Sequence, residues 1–516
     1  MVASFVPAAT AQNAEAPAGA PISAIDWLSD SVALPPPATT NAILPPDPNE
    51  AATSTGASVA EVTMSLLEAP QLDSLGLLPS AATGLPPALW GASRPDDLAR
   101  RIAALDHDLL PAMQELLQTL LLAELNPPKG ARAGDDRLFL ARVDRLLATG
   151  ALDQAEALLE RAGNANARVF QRRFDTALLL GHEDRQCATL RNSPDLSPTF
   201  TARVFCLARV GDWDAAVLTL ETGRALGYIS PSEDALLARF LDPDLFEGAP
   251  PLPQPDHPTP LTFRMHEAIG EHISTGALPL AFAQADLRSN IGWKARAEAG
   301  ERLARVGAVT PNQLLGLYSE RKPAASGGIW DRMVALRAVE GALAGYDVNA
   351  LAQAVMELWP HLEETGLEVP AAELFGPALA ARPLPGEARL MALKLGLLSS
   401  KSEEVAQGWA ERETDPEEAF LLGVARGDLE AFAPYDARAK VVKDGFQASA
   451  LPVRFRALVD DGRQGEAILR AIQLFTEAAQ GDMHKMTDAL AFFRQVGLER
   501  IARRAALEFL ILERRG

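Results

Sequence analysis

Three glycines, Gly150, Gly181 and Gly211, recur at a nearly constant spacing of about 30 residues, and each lies between two stretches of helical length. A helix–glycine–helix unit that recurs at this period is typical of an α-helical repeat array, in which each unit buries its apolar face against its neighbours. Glycine suits the turn because the chain must adopt a positive φ to leave one helix and reverse direction. The spacing therefore predicts an all-α fold of helical hairpins stacked as a curved α-solenoid.

The apolar pattern on either side of Gly150 supports this interpretation. The stripe before the glycine consists of Phe139, Val143, Leu146 and Leu147. The facing stripe after it consists of Leu152, Ala155, Leu159 and Ala162. Both follow the helical period. Hydrophobic residues make up 48% of the chain but aromatics only 6%, so Ala and Leu, which favour helix over strand, dominate the apolar content.

The layout over residues 134–227 resembles tetratricopeptide repeats. The resemblance is carried by the turn glycine and by a small residue early in the second helix, which is Ala155 in the first unit and Ala215 or Ala216 in the third. The tyrosines and the terminal proline of the family pattern are missing, and the spacing is shorter than the family's 34 residues. The resemblance implies a surface that binds a protein or peptide partner.

Composition divides the chain into further regions. Residues 12–93 are rich in Pro, Ala, Ser and Thr, with Asp and Glu but neither Lys nor Arg, and we expect a disordered acidic tail. Helical repeats then occupy residues 94–240. A Pro-rich, acidic segment at residues 241–260 is interpreted as a linker or strap, and residues 261–516 as a second all-helical repeat region.

The tail contains a short amphipathic segment at residues 23–32. It begins with a pattern close to a capping box and would form a helix of two or three turns, too short to persist alone. Its candidate docking side chains are Ile25, Trp27, Leu28 and Val32. Three outcomes stay open: docking onto the chain's own helices, docking onto another protein by a helix-in-groove contact, or no structure.

Two further elements are expected where the tail meets the helical body. An apolar island at residues 62–78 should pack against the first folded helices. A helix capped by Asp96 or Asp97 should run to about Leu125, where Asn126 and two prolines end it.

The net charge and the N-terminal residues indicate which binding partners and which cellular compartment to expect. The formal net charge of -20 disfavours nucleic acid and anionic lipid as partners. Apolar runs fall short of the roughly 20 residues of a membrane span, so membrane insertion is not expected. Residues 1–11 are apolar and end in Ala9-Thr10-Ala11, which we interpret as the remnant of a signal peptide. With Ala and Arg usage typical of a GC-rich bacterial genome, this predicts the periplasm; if Met1 is the true start, the alternative is the cytoplasm.

The two cysteines lie in consecutive helices of the repeat block. Cys187 follows Gly181 in the second helix of one unit, and Cys206 precedes Gly211 in the first helix of the next. Consecutive helices of such an array are antiparallel neighbours, so the thiols can face each other. A disulfide would fit an exported protein, whereas two buried thiols in an Ala-rich core would fit either compartment.

Catalytic and metal-binding patterns are absent from the sequence. There is no GxSxG, GxxxxGK[ST] or GxGxxG in the required context. His266 and His272 are six residues apart and would diverge by about 240° around a helix, so they do not form a zinc pair. We therefore predict no cofactor, no metal and no enzymatic activity, although a glycosidase's carboxylates need no local signature.

The leading hypothesis is a non-enzymatic periplasmic scaffold or adaptor that binds a protein or peptide partner in a cell-envelope assembly; its oligomeric state is left open. One alternative is a helical protein that binds or cleaves cell-wall peptidoglycan. A second is a cytoplasmic adaptor of the same architecture. A third rests on three Ala-Ala-Thr triplets, starting at Ala8, Ala51 and Ala81, which resemble the repeat unit of antifreeze glycopeptides.

Overall fold

The computed structural model describes residues 71–512 except 133, 324, 411 and 413. The described residues all belong to one compact unit. Several predictions lie outside them: the signal-peptide remnant at 1–11, the tail as far as residue 70, and the docking side chains Ile25, Trp27, Leu28 and Val32.

The described residues are helical, with short 3-10 turns and one isolated bridge between Leu78 and Ala123. The helices are α1 (Ser80–Thr83), α2 (Pro95–Ala104), α3 (Pro111–Leu122), α4 (Arg137–Ala148), α5 (Leu152–Ala162), α6 (Ala167–Leu180), α7 (Asp184–Asn192), α8 (Phe200–Arg209), α9 (Trp213–Ala225), α10 (Pro231–Leu241), α11 (Pro260–Ala268), α12 (Ala283–Asp286), α13 (Trp293–Arg305), α14 (Pro311–Ser319), α15 (Ile329–Ala344), α16 (Val348–Thr365), α17 (Glu368–Ala380), α18 (Gly386–Leu398), α19 (Ser402–Gly408), α20 (Pro416–Arg426), α21 (Ala437–Gln447), α22 (Val453–Asp460), α23 (Gln464–Ala479), α24 (His484–Gln495) and α25 (Glu499–Ile511). The 3-10 turns are Leu72–Ser74, Pro194–Leu196, Asp244–Phe246 and Leu280–Phe282. Among the helices described here, none combines the length and apolar character needed to cross a bilayer.

The predicted hairpins are present. Gly150, Gly181 and Gly211 separate α4 from α5, α6 from α7 and α8 from α9, and their φ angles are 74°, 84° and 85°. This left-handed conformation is the one that reverses the chain and favours glycine. Consecutive helices pack against each other throughout this block. The all-α fold with paired helices is confirmed.

The disordered tail predicted at residues 12–93 extends too far toward the C-terminus. Residues 71–93 are packed against the helical body: Leu72 and Trp90 are buried, and the Asp73 carboxylate accepts a hydrogen bond from the Phe139 backbone amide at 2.9 Å. The segment's leucines and its tryptophan bury enough apolar surface to offset the ordering of the chain. The described part of the apolar island at 62–78 does contact the body, as expected, because the amides of residues 77 and 78 bond the Leu122 carbonyl.

The single helix predicted to run from Asp96 to Leu125 is wrong, because the structure has two helices, α2 and α3, in this region. Pro111 fits only the first turn of a helix, where its missing amide donor costs nothing. The Asp106 side chain also accepts from the Asp108 amide at 3.1 Å, an Asx turn that competes with helix.

The segment at 241–260 does not divide the helical body as predicted. Leu261 and Met265 of α11 belong to the same apolar cluster as Phe170 and Phe205, which lie before the segment. Helices α6 to α11 therefore share one core, and we call residues 167–268 the α6–α11 lobe. The segment itself is a strap that follows this lobe: Arg239 Nη2 donates to the Pro250 carbonyl at 2.8 Å.

The first and last described segments are packed together. Helix α25 contacts α3, and the Ala112 amide donates to Glu508 Oε2 at 2.8 Å. The Gly465 amide donates to the Leu89 carbonyl at 2.9 Å. Contacts in this body thus join elements that are far apart in sequence, in addition to the consecutive helices of a repeat array.

Candidate interaction surface

Helix α9 is fixed to the lobe by one narrow face. Asp212 caps it by accepting a hydrogen bond from the Ala215 amide. Ala216, Leu220 and Gly223 recur at helical spacing and are buried. A Cβ at Gly223 would lie 2.6 Å from Ile229 Cδ1, so the glycine permits close packing of the turn that follows. The opposite side of α9 is left to solvent.

Large apolar side chains are exposed on α9 and in the turn that follows it. Ten of them are strongly exposed among the described residues, and five lie between residues 213 and 228. These five, which we call the α9 surface, are Trp213 (50% exposed), Val217 (48%), Leu218 (69%), Leu226 (59%) and Tyr228 (63%). Single exposed apolar residues are common, but a concentration of this kind marks interaction sites.

The α9 surface is held in a defined geometry. Trp213 and Val217 are four residues apart and lie on the same side of the helix. Leu218 lies about 100° further round the helix axis, on the side opposite the buried residues. The Tyr228 ring stacks on Phe200, with ring centroids 4.9 Å apart and planes 13° apart. Rigid aromatic side chains lose little entropy on binding and are enriched among residues that dominate interface energies.

Acidic residues surround the α9 surface. Asp212, Asp214 and Glu221 are exposed on α9 and its cap. The helix's cation, Arg224, is paired with Glu221 and with Asp234 of α10. The surface is therefore apolar with acidic side chains beside it, which favours a partner that combines apolar and basic residues.

The helices beneath α9 are tied together by hydrogen bonds. Thr201 of α8 donates to Glu233 Oε1 at 2.9 Å, and Ser230 and Glu233 form a capping box at the start of α10. Burial pushes the pKa of Glu233 up, but the hydrogen bonds from Ser230 and Thr201 outweigh it and bring the pKa below its usual value. Glu233 is thus charged near neutral pH and links α8 to α10.

The two cysteines meet beneath the same surface. The sulfurs of Cys187 on α7 and Cys206 on α8 are joined as a disulfide, with the Cα atoms 4.7 Å apart, and both side chains are buried. The bridge pins α7 to α8, and α8 is the helix on which α9 packs. The disulfide therefore stabilises the helices that support the α9 surface, but it is not part of that surface.

An ion-pair network, which we call the base of the lobe, joins the start of α7, helix α11 and the residues after α12. The buried Glu183 accepts from Arg264 Nε at 3.0 Å, and Arg264 Nη1 in turn donates to Glu267 at 2.8 Å. Arg288, next to α12, also donates to Glu267 at 2.8 Å. Burial raises the pKa of Glu267, but the hydrogen bonds from Arg288 and Arg264 outweigh it and bring the pKa below its usual value.

Both histidines of the rejected zinc pattern contact other side chains of the protein. His266 is buried, its Nδ1 lies 3.7 Å from Glu271 Oε2, and desolvation lowers its pKa. The His272 ring packs edge-on to Phe263. In the part of the chain described here, no group of three or more His, Cys, Asp or Glu is placed to hold a metal ion.

One carboxylate pair bears on the alternative of a cell-wall enzyme. Burial raises the pKa of Asp175 to about 6, and Asp144 contributes to that rise. Both oxygens of Asp144 are bound by Arg172, at 2.8 and 3.0 Å. A raised carboxylate pKa is a feature of general acids, but here the neighbouring carboxylate is engaged in a bidentate ion pair.

The α9 surface was not predicted from the sequence. Trp213, Val217 and Leu218 would give the same sequence pattern if a neighbouring helix covered them. Comparisons of the chain with protein-family models, with curated proteins and with solved structures find no match. The surface is therefore interpreted from its own chemistry.

Proposed function

We propose that this protein is a non-enzymatic adaptor whose α9 surface binds a protein or peptide partner. The observation that carries the proposal is the concentration of exposed apolar side chains on α9, which is itself packed and capped, and on the turn that follows it. Exposing Trp213, Leu218 and Tyr228 to water is unfavourable, and a partner that covers them recovers the cost.

The partner we propose is an amphipathic helix with apolar residues on one face and Lys or Arg beside it. Its apolar face would cover Val217 and Leu218, in the manner of helix-in-groove contacts. Its cations would face Asp214. The net charge of -20 would also speed the approach of a basic partner at low salt.

We further propose tetratricopeptide-like repeats in a curved solenoid as the architecture and the periplasm as the compartment. The three glycine turns and the packing of consecutive helices support the first proposal. The disulfide and Ala9-Thr10-Ala11 support the second, because disulfides persist in oxidising compartments. The partner would belong to a cell-envelope assembly.

A crosslinked pull-down from the native host tests the proposed function. The bait is wild-type protein, the double variant Val217→Asp/Leu218→Asp, or the control Val334→Asp, which changes an exposed side chain on α15. The partner that depends on Val217 and Leu218 is then purified, and its affinity for the three proteins is measured.

We expect the double variant to bind at least about tenfold more weakly and the control to bind like wild type. Equal recovery with all three baits contradicts the proposal. Recovery of peptidoglycan fragments in place of a protein would favour the cell-wall alternative. Fractionation of the envelope tests the compartment, and residence in the cytoplasm would contradict export.

A further inference from the structure

A second candidate site is a polar pocket between helix α2, near the start of the described chain, and helices α22 and α23, near its end. The pocket has a volume of about 280 Å³. Each of the three helices contributes one arginine to its lining: Arg101 of α2, Arg454 of α22 and Arg470 of α23. Three cations thus line the pocket against one carboxylate, that of Glu477, although the whole chain has a net charge of -20.

A buried carboxylate holds two of these arginines in place. Glu466 of α23 is fully buried, and its Oε1 accepts from Arg101 Nε at 3.1 Å and from Arg470 Nη2 at 2.7 Å. Because both nitrogens donate to one oxygen, the two guanidinium groups are neighbours. Arg463 donates to the other oxygen, Oε2, at 2.6 Å. Three guanidinium groups share a single carboxylate, so this cluster has a surplus of two positive charges.

The arginines of this cluster keep unused donors that a ligand can reach. Arg101 donates through Nε, and its terminal nitrogens Nη1 and Nη2 have no acceptor among the described residues. Arg470 Nη1 has none among them either. The two side chains are 32% and 38% exposed, and these terminal nitrogens are open to solvent. Arg454, on the far side of the pocket, is half exposed and contacts Asp488 through Nε at 3.0 Å.

The carboxylate in the lining is already engaged. Glu477 Oε2 accepts from Lys485 Nζ at 2.7 Å, and its Oε1 accepts from Gln473 Nε2 at 3.0 Å. Lys485 also pairs with Asp482, which does not line the pocket. Repulsion of an anion by Glu477 is therefore reduced, and the surplus around Glu466 dominates the charge of the pocket.

The charge and size of the pocket define the ligand. Guanidinium groups bind phosphate and carboxylate through paired N–H donors. A surplus of two positive charges matches a phosphate monoester, which is a dianion above about pH 6, better than a single carboxylate. The volume exceeds the roughly 30 Å³ share of one water and lies just below the roughly 300–1,000 Å³ of sites for drug-sized molecules. A phosphate with a few carbon atoms fits this range.

We propose that this pocket binds the phosphate group of a small soluble phosphate ester. The terminal nitrogens of Arg101 and Arg470 donate to the phosphate oxygens, and Arg454 faces them from α22. The carbon atoms lie against the apolar side chains of the lining, Phe455 and Leu474. The net charge of -20 repels anionic membranes and nucleic acids, so we assign a soluble molecule as the source of the phosphate. The α9 surface takes no part in this site.

The test is isothermal titration calorimetry of the full chain at pH 7.5, in a buffer of low ionic strength without phosphate or sulfate. The first probe is glycerol 3-phosphate, a dianion on three carbon atoms. Glycerate has a similar carbon skeleton with one carboxylate, and glycerol has no charge. A fourth probe, N-acetyl-O-phosphoserine N-methylamide, presents the same phosphate on a peptide.

We expect glycerol 3-phosphate to bind saturably at one site and at least about tenfold more tightly than glycerate, with no binding of glycerol. Arg470→Gln should weaken the binding about tenfold. The control Arg500→Gln removes an exposed arginine of α25 outside the pocket and should leave the affinity unchanged. Both variants lose one positive charge, so their comparison separates the pocket from the long-range field of the protein. Arg454→Gln, at an exposed position, should also weaken the binding.

Three results would overturn the proposal. The first is a lack of saturable binding of glycerol 3-phosphate, or equal affinity for glycerate, in the wild type; this comparison does not depend on a variant's folding. The second is an equal loss of affinity in Arg470→Gln and Arg500→Gln. The third is tighter binding of the phosphoserine probe than of glycerol 3-phosphate, which would replace the soluble ester with a phosphorylated peptide. None of these results bears on the α9 proposal.

Discussion

The backbone amide of Ala112, in the first turn of α3, donates to Glu508 Oε2 of α25 at 2.8 Å, across 396 positions of sequence. Amides in the first turn of a helix have no intrahelical partner, and a carboxylate also interacts favourably with the helix dipole there. Glu508 is buried, so water cannot replace it. The last described helix therefore caps one of the first.

Glu508→Ala should lower the free energy of unfolding by about 1–3 kcal/mol, because it leaves a buried amide without an acceptor. Urea unfolding of the full chain measures this. The control is Glu403→Ala, which removes an exposed carboxylate 3.4 Å from Arg503 and should change stability by less than about 1 kcal/mol. Equal losses in the two variants would contradict the capping role of Glu508.

Two turn glycines should respond differently to the same substitution. Gly150→Ala and Gly211→Ala both place a Cβ on a left-handed residue, which costs about 1–2 kcal/mol. At Gly150 the new Cβ would also lie 2.6 Å from Leu303 Cδ2, whereas at Gly211 nothing lies within 4 Å. Gly150→Ala should therefore be the more destabilising by about 1–3 kcal/mol in thermal or urea unfolding. Equal effects would show that Leu303 does not pack against this turn.

The disulfide should stabilise the α6–α11 lobe. It joins residues 19 apart in sequence, and closing a loop of this length removes unfolded-state entropy worth about 3 kcal/mol. Cys187→Ser/Cys206→Ser should lose about that amount. Thiol titration of unreduced, denatured protein provides the direct check: no reactive thiol is expected, and two would exclude the bridge.

The base of the lobe should weaken in acid through Glu267. Its pKa lies below the unfolded value of 4.5, so the folded protein binds this proton less readily than the unfolded chain does. The stabilisation by its bonds to Arg264 and Arg288 is thus complete above about pH 4.5 and is lost as the pH falls through the lower folded value.

Urea unfolding as a function of pH measures this contribution. The stability difference between wild type and Glu267→Gln should be largest near neutral pH and should shrink below about pH 4.5. Glu298→Gln, which changes a half-exposed carboxylate paired with Lys294, serves as the control. A difference that grows on acidification would contradict the sign of the pKa change.

The sequence predicted local features well because their causes are local. A glycine between two apolar stripes specifies a turn with positive φ, and the stripes on either side of Gly150 lie within α4 and α5 as expected. The order of the helices also predicted that Cys187 and Cys206 can face each other, but the sequence left open whether they form a disulfide. These features need only the neighbouring residues.

Long-range features were not predictable in the same way. Nothing local indicates that Glu508 meets Ala112, or that Gln284 bonds the Gly150 carbonyl at 2.7 Å. The proline content of the tail masked Trp90, which becomes buried against partners elsewhere in the chain. The α9 surface was missed because exposure depends on which helix face lacks a neighbour, and a stripe of apolar residues has the same appearance in either case.

Site-specific photocrosslinking in living cells tests the adaptor proposal most directly. A benzophenone amino acid replaces Leu218 on the α9 surface or Val334 on α15, two exposed positions on different helices. We expect one dominant crosslinked protein at position 218, with a basic amphipathic helix at the crosslink, and none at position 334. The same crosslinked species at both positions, or none at position 218, would contradict the assignment of α9 as the partner-binding surface.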